Sequence, residues 1–149
     1  MTPNTSNKQV AIVTGASSGI GLGITRALIQ HGYRVVANSR NISKSKDLKP
    51  SAGLVLVDGD IGSKETAVKV AEAAVKHFGR IDLLVNNAGI YMPKPFTECT
   101  PEDFELMIHT NVAGYFFVTQ QAVADRFHRL GLIPKQITVR DIVWRPAQI

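Results

Sequence analysis

The segment Thr14-Gly15-Ala16-Ser17-Ser18-Gly19-Ile20-Gly21 constrains the fold more than any other part of the chain. It follows the apolar run Val10-Ala11-Ile12-Val13. It leads into Ile20, Ile24 and Leu28, which recur every four residues. A short unbroken apolar run suits a strand covered on both faces, and four-residue recurrence suits one face of a helix. The spacing predicts a strand over 9–14, a helix over 19–31 and Gly32 as the helix stop. Glycines in such a turn permit a sharp reversal and leave backbone N–H groups bare at a helix start, where negative charge is favoured. The turn suits a phosphate; a plain tight turn is the alternative.

The pattern repeats downstream. Strands are expected at 33–38, 54–57 and 81–85. Ser63 caps a helix expected over 64–78, with Ala67, Val70, Ala71, Ala74, Val75 and Phe78 on one face and Gly79 at its end. Thr100-Pro101-Glu102-Asp103 is a strong helix start, with an N-cap, a first-position proline and acids in the first turn. That helix is expected to reach about Phe127 and to carry Phe104, Ile108, Val112, Phe116 and Val123 inward. Tyr115 and Phe116-Phe117 are expected in the core or in a subunit interface. Strands alternating with helices argue an α/β fold with a parallel sheet and right-handed crossovers. At 149 residues the chain suits one domain. Residues 1–8 read as a disordered lead, 9–124 as the domain, and 125–149 as a divergent tail in which 137–143 suits a strand.

Several functional classes are excluded. No apolar run approaches the ~20 residues of a membrane helix, and the first ten residues are too polar for a signal peptide. Cys99 is the single cysteine, which leaves no disulfide framework and no multi-cysteine metal site. It is expected to be packed. His31, His77, His109 and His128 have no ligand spacing, so no metal is expected. The formal charge is +5. Arg126, Arg129, Lys135, Arg140 and Arg145 stand against only Asp125 and Asp141 in the last 25 residues. The spacing is loose, with only Phe127 and Trp144 interleaved, and does not make a nucleic-acid surface. A cytoplasmic protein is expected.

Three motifs in order now identify a resemblance. Thr14–Gly21 resembles the cofactor turn of the short-chain dehydrogenase/reductase family. Asn86-Asn87-Ala88-Gly89, ending the fourth strand, resembles its second motif. Asn111 falls where the family keeps a catalytic Asn. The likeness covers about residues 8–124. It implies a Rossmann-like doubly wound parallel sheet, incomplete here with about four clear strands. It implies that Gly15, Ser17, Ser18, Gly19 and Ile20 bind the pyrophosphate and adjacent ribose of a nicotinamide dinucleotide. Ser39 stands where an acid would take the ribose 2′-hydroxyl of NAD, and Arg40 follows. A guanidinium suits a 2′-phosphate, so NADP is expected over NAD; a solvated Arg is the alternative. The likeness gives Asp60 and Ile61 to the adenine, or else to a helix-approach turn. It places Asn87, Ala88 and Gly89 at the ribose, with Asn86 bracing the sheet. Asn111 would organise a helix break and a proton-relay water. A homo-oligomer is typical of the family.

The sequence also departs from that pattern. The family's Tyr-x-x-x-Lys pair and Ser protonate and hold a developing alkoxide. Tyr33, Tyr91 and Tyr115 lack a Lys four residues on, and no Ser follows Ser63. Thr138 lies near the expected Ser position without matching surroundings. The resemblance therefore implies an NADP-dependent oxidoreductase of alcohols or carbonyls, truncated before its Tyr-x-x-x-Lys motif. The alternative is a non-catalytic NADP-binding remnant. The change of character after Ala124 suggests a shifted reading frame.

Overall fold

The computed structural model describes residues 8–134. Thr138, the strand expected over 137–143 and most of the basic tail lie outside the described residues.

Four strands form one parallel sheet: β1 (Val10–Thr14), β2 (Arg34–Ser39), β3 (Leu54–Asp58) and β4 (Leu83–Val85), in the order β3-β2-β1-β4. All five residues of β1 are buried, which is what a central strand covered on both faces requires. Its side chains divide between two cores. Val10 and Ile12 pack with Val36, Val70, Ala74 and Val118 on one face. Ala11 and Val13 pack with Val35, Ala37 and Leu54 on the other. Helix α1 (Gly19–Gln30) covers the second face through Leu22, Ile24 and Leu28. Helix α2 (Lys64–Phe78) covers the first, and α4 (Gly114–Arg129) joins it through Val118, Phe117 and Ala122. The sheet is thus doubly wound.

The helix signals act as read. Ser63 accepts from the Thr66 amide at 3.3 Å, and Gly79 closes α2 in the left-handed conformation at φ 80°. Helix α3 (Pro101–Met107) begins with a complete capping box: Asp103 N donates to Thr100 Oγ1 and Thr100 N to Asp103 Oδ2.

Several expectations are corrected. The long helix after Pro101 is interrupted by a π-helical stretch, Ile108–Ala113. Beyond it the buried stripe is Gly114, Val118, Gln121 and Asp125. Phe104, Ile108, Val112, Phe116 and Val123 are not inward but 60, 40, 53, 54 and 44% exposed. Neither α3 nor the π stretch buries any residue, and the wider π turn shifts the register of α4 beyond it, so that Gly114, Val118, Gln121 and Asp125 face inward instead. Tyr115 is also outward, at 57%, whereas Phe117 packs on the core. In α1, Ile20 is 77% exposed while Ile24 and Leu28 pack inward.

Strand β4 is shorter than 81–85 because α4 takes the backbone of Ile81. Ile81 N donates to Asp125 Oδ2 at 3.1 Å, and Arg129 Nη2 donates to Ile81 O. Asp125, placed by the sequence at the start of the tail, is 5% exposed inside this helix and accepts from Arg129 Nε at 2.9 Å. Next to it Asp82 accepts from Val10 N and Arg80. These groups close the end of the sheet opposite the glycine turn.

Candidate functional site

At the carboxyl ends of the strands the chain makes four turns that face one another. The glycine turn leaves β1 at Thr14, and Gly15 takes φ 65°, a conformation costly for other residues. A Cβ on Gly15 would also fall 2.8 Å from Ala88 Cα. The turn after β4 packs here without room for a side chain. Thr14 and Asn87 lock the two turns together. Thr14 Oγ1 accepts from Asn87 N and Ala88 N at 3.1 and 3.0 Å, and Asn87 Nδ2 donates to Thr14 O and Gly15 O at 3.0 and 3.1 Å. Asn86 instead reaches α4, donating from Nδ2 to Thr119 Oγ1 at 3.1 Å.

The end of β2 joins the glycine turn from the other side. Ala16 N donates to Asn38 O at 3.0 Å, and the hydroxyls of Ser17 and Ser39 lie 2.9 Å apart. Asn38 is buried and donates from Nδ2 to Val57 O and Gly59 O. It thereby ties β2 to the loop leaving β3. Arg40 stands exposed beyond Ser39. Asp58, ending β3, is held below the usual carboxylate range by hydrogen bonds from the side chain and amide of Ser43. Its charge is thus satisfied within the loop after Arg40.

Asp60 and Ile61 follow. Ile61 is 5% exposed and belongs to the core. Asp60 Oδ1 accepts from Gly62 N at 2.9 Å, and Oδ2 lies 3.3 Å from His109 Nε2. Asn111, inside the π stretch, grips the backbone of Ile90. Its Oδ1 accepts from Ile90 N at 2.8 Å and its Nδ2 donates to Ile90 O at 2.9 Å.

These turns enclose one cleft of about 440 Å³. Gly15, Ser17, Ser18, Ile20, Ser39, Arg40, Asp60, Ile61, Asn87, Ala88 and Gly89 all line it. Of the residues assigned to a cofactor, Gly19 alone stands outside the lining. Asn111 is one step removed and acts on the wall through Ile90. The sequence did not single out Ile90, Thr110 and Leu106 from this lining, or His109 behind it. Ile90 and Thr110 adjoin motif residues, a usable signal. His109 carries none, because its partner lies 49 residues away.

No side chain caps α1: Ser18 makes no cap hydrogen bond and the first turn holds no acid. Its first amides therefore meet no competing carboxylate, as an anion requires. Among the described residues no three or more His, Cys, Asp or Glu gather as metal ligands. No helix among them is long and apolar enough to cross a membrane.

Comparisons with known proteins agree with this geometry. A family model described as short chain dehydrogenase matches residues 9–131. The chain is 36% identical over 120 residues to versicolorin reductase stcU of Emericella nidulans, covering 76% of this chain and 46% of that one. It is 38% identical over 112 residues to acetoacetyl-CoA reductase of Shinella zoogloeoides, covering 74% and 46%. Among solved structures it resembles a 3-ketoacyl-(acyl-carrier-protein) reductase from Brucella melitensis complexed with NADH. That likeness has a TM-score of 0.76 at 29% identity, over 85% of this chain and 54% of that one. The chain spans about half the length of the curated relatives it matches.

Proposed function

Because the chain belongs to the short-chain dehydrogenase family, we propose that its cleft holds NADP, in preference to NAD, for hydride transfer with an alcohol or carbonyl compound. One observation carries this reading: turns from four strands, distant in sequence, converge on a single cleft. The residues present fit such a ligand. Uncapped amides at the start of α1 suit a pyrophosphate, and Gly15 keeps that turn tight against Ala88. Asp60 and Ile61 would hold the adenine, and Asn87, Ala88 and Gly89 the ribose beside the nicotinamide. When bound, the dinucleotide supplies the hydride donor or acceptor.

The choice of NADP rests on Ser39 and Arg40. No carboxylate stands at Ser39 to accept from a ribose hydroxyl, and Ser39 already meets Ser17. The exposed Arg40 guanidinium offers a planar pair of donors to a 2′-phosphate. Titration of wild type and Arg40→Ala with both cofactors tests this. NADPH affinity should fall about tenfold or more in the variant, on the scale of a charged hydrogen bond, while NADH affinity stays near wild type. An unchanged NADPH affinity would overturn the preference.

Asn111 is the candidate catalytic residue. Its grip on Ile90 fixes the wall beyond Gly89. A second reading follows from one observation: these 149 residues contain no Tyr-x-x-x-Lys. The proton donor that hydride transfer needs is then missing from this stretch, and it would be a non-catalytic NADP-binding module. NADPH oxidation over a panel of carbonyl compounds separates the two. Turnover supports the enzyme, whereas saturable binding without turnover supports the module.

A further inference from the structure

We propose that His109 is a positioning residue for the adenine half of the dinucleotide, acting through Asp60. The proposal rests on the cofactor reading above and extends it to a residue outside the cleft lining.

The Asp60 carboxylate is fixed from two directions. Gly62 N donates to Oδ1 at 2.9 Å, and His109 Nε2 lies 3.3 Å from Oδ2. A carboxylate only accepts, so the ring nitrogen is the donor. Two contacts on different oxygens set the plane of the group. About four lone-pair sites belong to a carboxylate, so acceptor capacity is left for a donor in the cleft that Asp60 lines. The exocyclic amine of adenine is such a donor.

The approach of the imidazole is built into the backbone. A Cβ at Gly62 would fall 2.4 Å from Cδ2 and Nε2 of His109. The ring rests on bare main chain, which only glycine leaves open. The π stretch gives this contact its reach. His109 and Asn111 are two positions apart, and side chains so spaced do not share a helix face. His109 addresses the loop after β3, while Asn111 addresses Ile90 in the loop after β4. One turn thus ties two walls of the cleft. Such π stretches are rare and recur at functional sites.

The test uses the full chain, calorimetric binding of adenosine 2′,5′-bisphosphate (an adenine-half probe), and NADPH as reference. His109→Ala should weaken the probe about three- to tenfold, the range of one net hydrogen bond. His109→Gln, which keeps a donor, should recover most of that loss. In an Asp60→Ala background, His109→Ala should add nothing. A merely structural residue would weaken binding in both backgrounds and would not be rescued by Gln. That result, or an unchanged affinity in His109→Ala while wild type binds NADPH, overturns the proposal alone. Wild type that binds neither ligand overturns the cofactor reading and this proposal together.

Discussion

Asn87 illustrates how single side chains hold the site in shape. Its side-chain amide donates to Thr14 O and Gly15 O, 73 and 72 residues away in sequence, so it joins the turns after β1 and β4. Gly15 is the counterpart that lets them approach. Gly15→Ala meets two obstacles: φ 65°, and Ala88 Cα at 2.8 Å. The strained conformation alone costs about 1 kcal/mol, and the backbone clash adds to it. The variant should melt at a lower temperature than wild type and lose cofactor affinity. Gly23→Ala is the control, since a Cβ there meets nothing within 4 Å and removes helix-interior glycine. It should raise the melting temperature slightly, and calorimetry of the pair checks both signs. At this scale the motif residues were legible because glycine and asparagine at fixed offsets have few other uses. His109 was not legible, because a histidine shows no partner until the fold brings Asp60 to it.

At the scale of elements, local chemistry wrote most boundaries. Ser63, Gly79, Thr100 and Pro101 act at the helix ends where their backbone preferences place them. The helix face after Pro101 was hidden. A π turn has no composition of its own, yet it rotates everything beyond it. Strand β4 is shorter than its sequence pattern for a related reason: Ile81 looks like a strand residue, but its amide and carbonyl go to Asp125 and Arg129. That junction also sets a response to acid. Burial would raise the pKa of Asp82, but hydrogen bonds from Arg80 and the Val10 amide, with the charges of Arg80 and Arg129, outweigh it and hold the carboxyl below its ordinary value. A lowered folded value means that this stabilisation is complete above the unfolded pKa of about 3.9 and is lost as pH falls through the folded value. Asp82→Asn should therefore melt lower than wild type at pH 7. The gap should narrow below about pH 4. A gap of constant size down to pH 2 would mean that the ionised form of Asp82 contributes nothing.

Over the whole molecule, the described residues present an uneven surface. Phe104 on α3, Val112 in the π stretch, and Tyr115 and Phe116 on α4 are each more than half exposed to water. Strand β4 pairs only with β1 among the described residues. Phe116→Glu tests this arrangement. A side chain already 54% exposed should change stability by only about 0.5 kcal/mol when made polar. Any self-association that wild type shows in sedimentation should decrease in the variant. A loss of several kcal/mol would place Phe116 in a core instead. The α/β class and the winding of the sheet could be read from alternating strands and helices, because a strand buried on both faces needs helices on both. The outward face could not be read, because the apolar count of a helix does not say what covers it.

The proposed nicotinamide dinucleotide site is built from four turns. The most direct measurement is amide NMR of the full chain during titration with NADPH. Saturable shifts are expected together at Gly15–Ile20, Ser39–Arg40, Asp60–Ile61 and Asn87–Gly89, with one common dissociation constant. The α2 amides should stay still. No saturable shift, or shifts confined to residues outside these four turns, would contradict it.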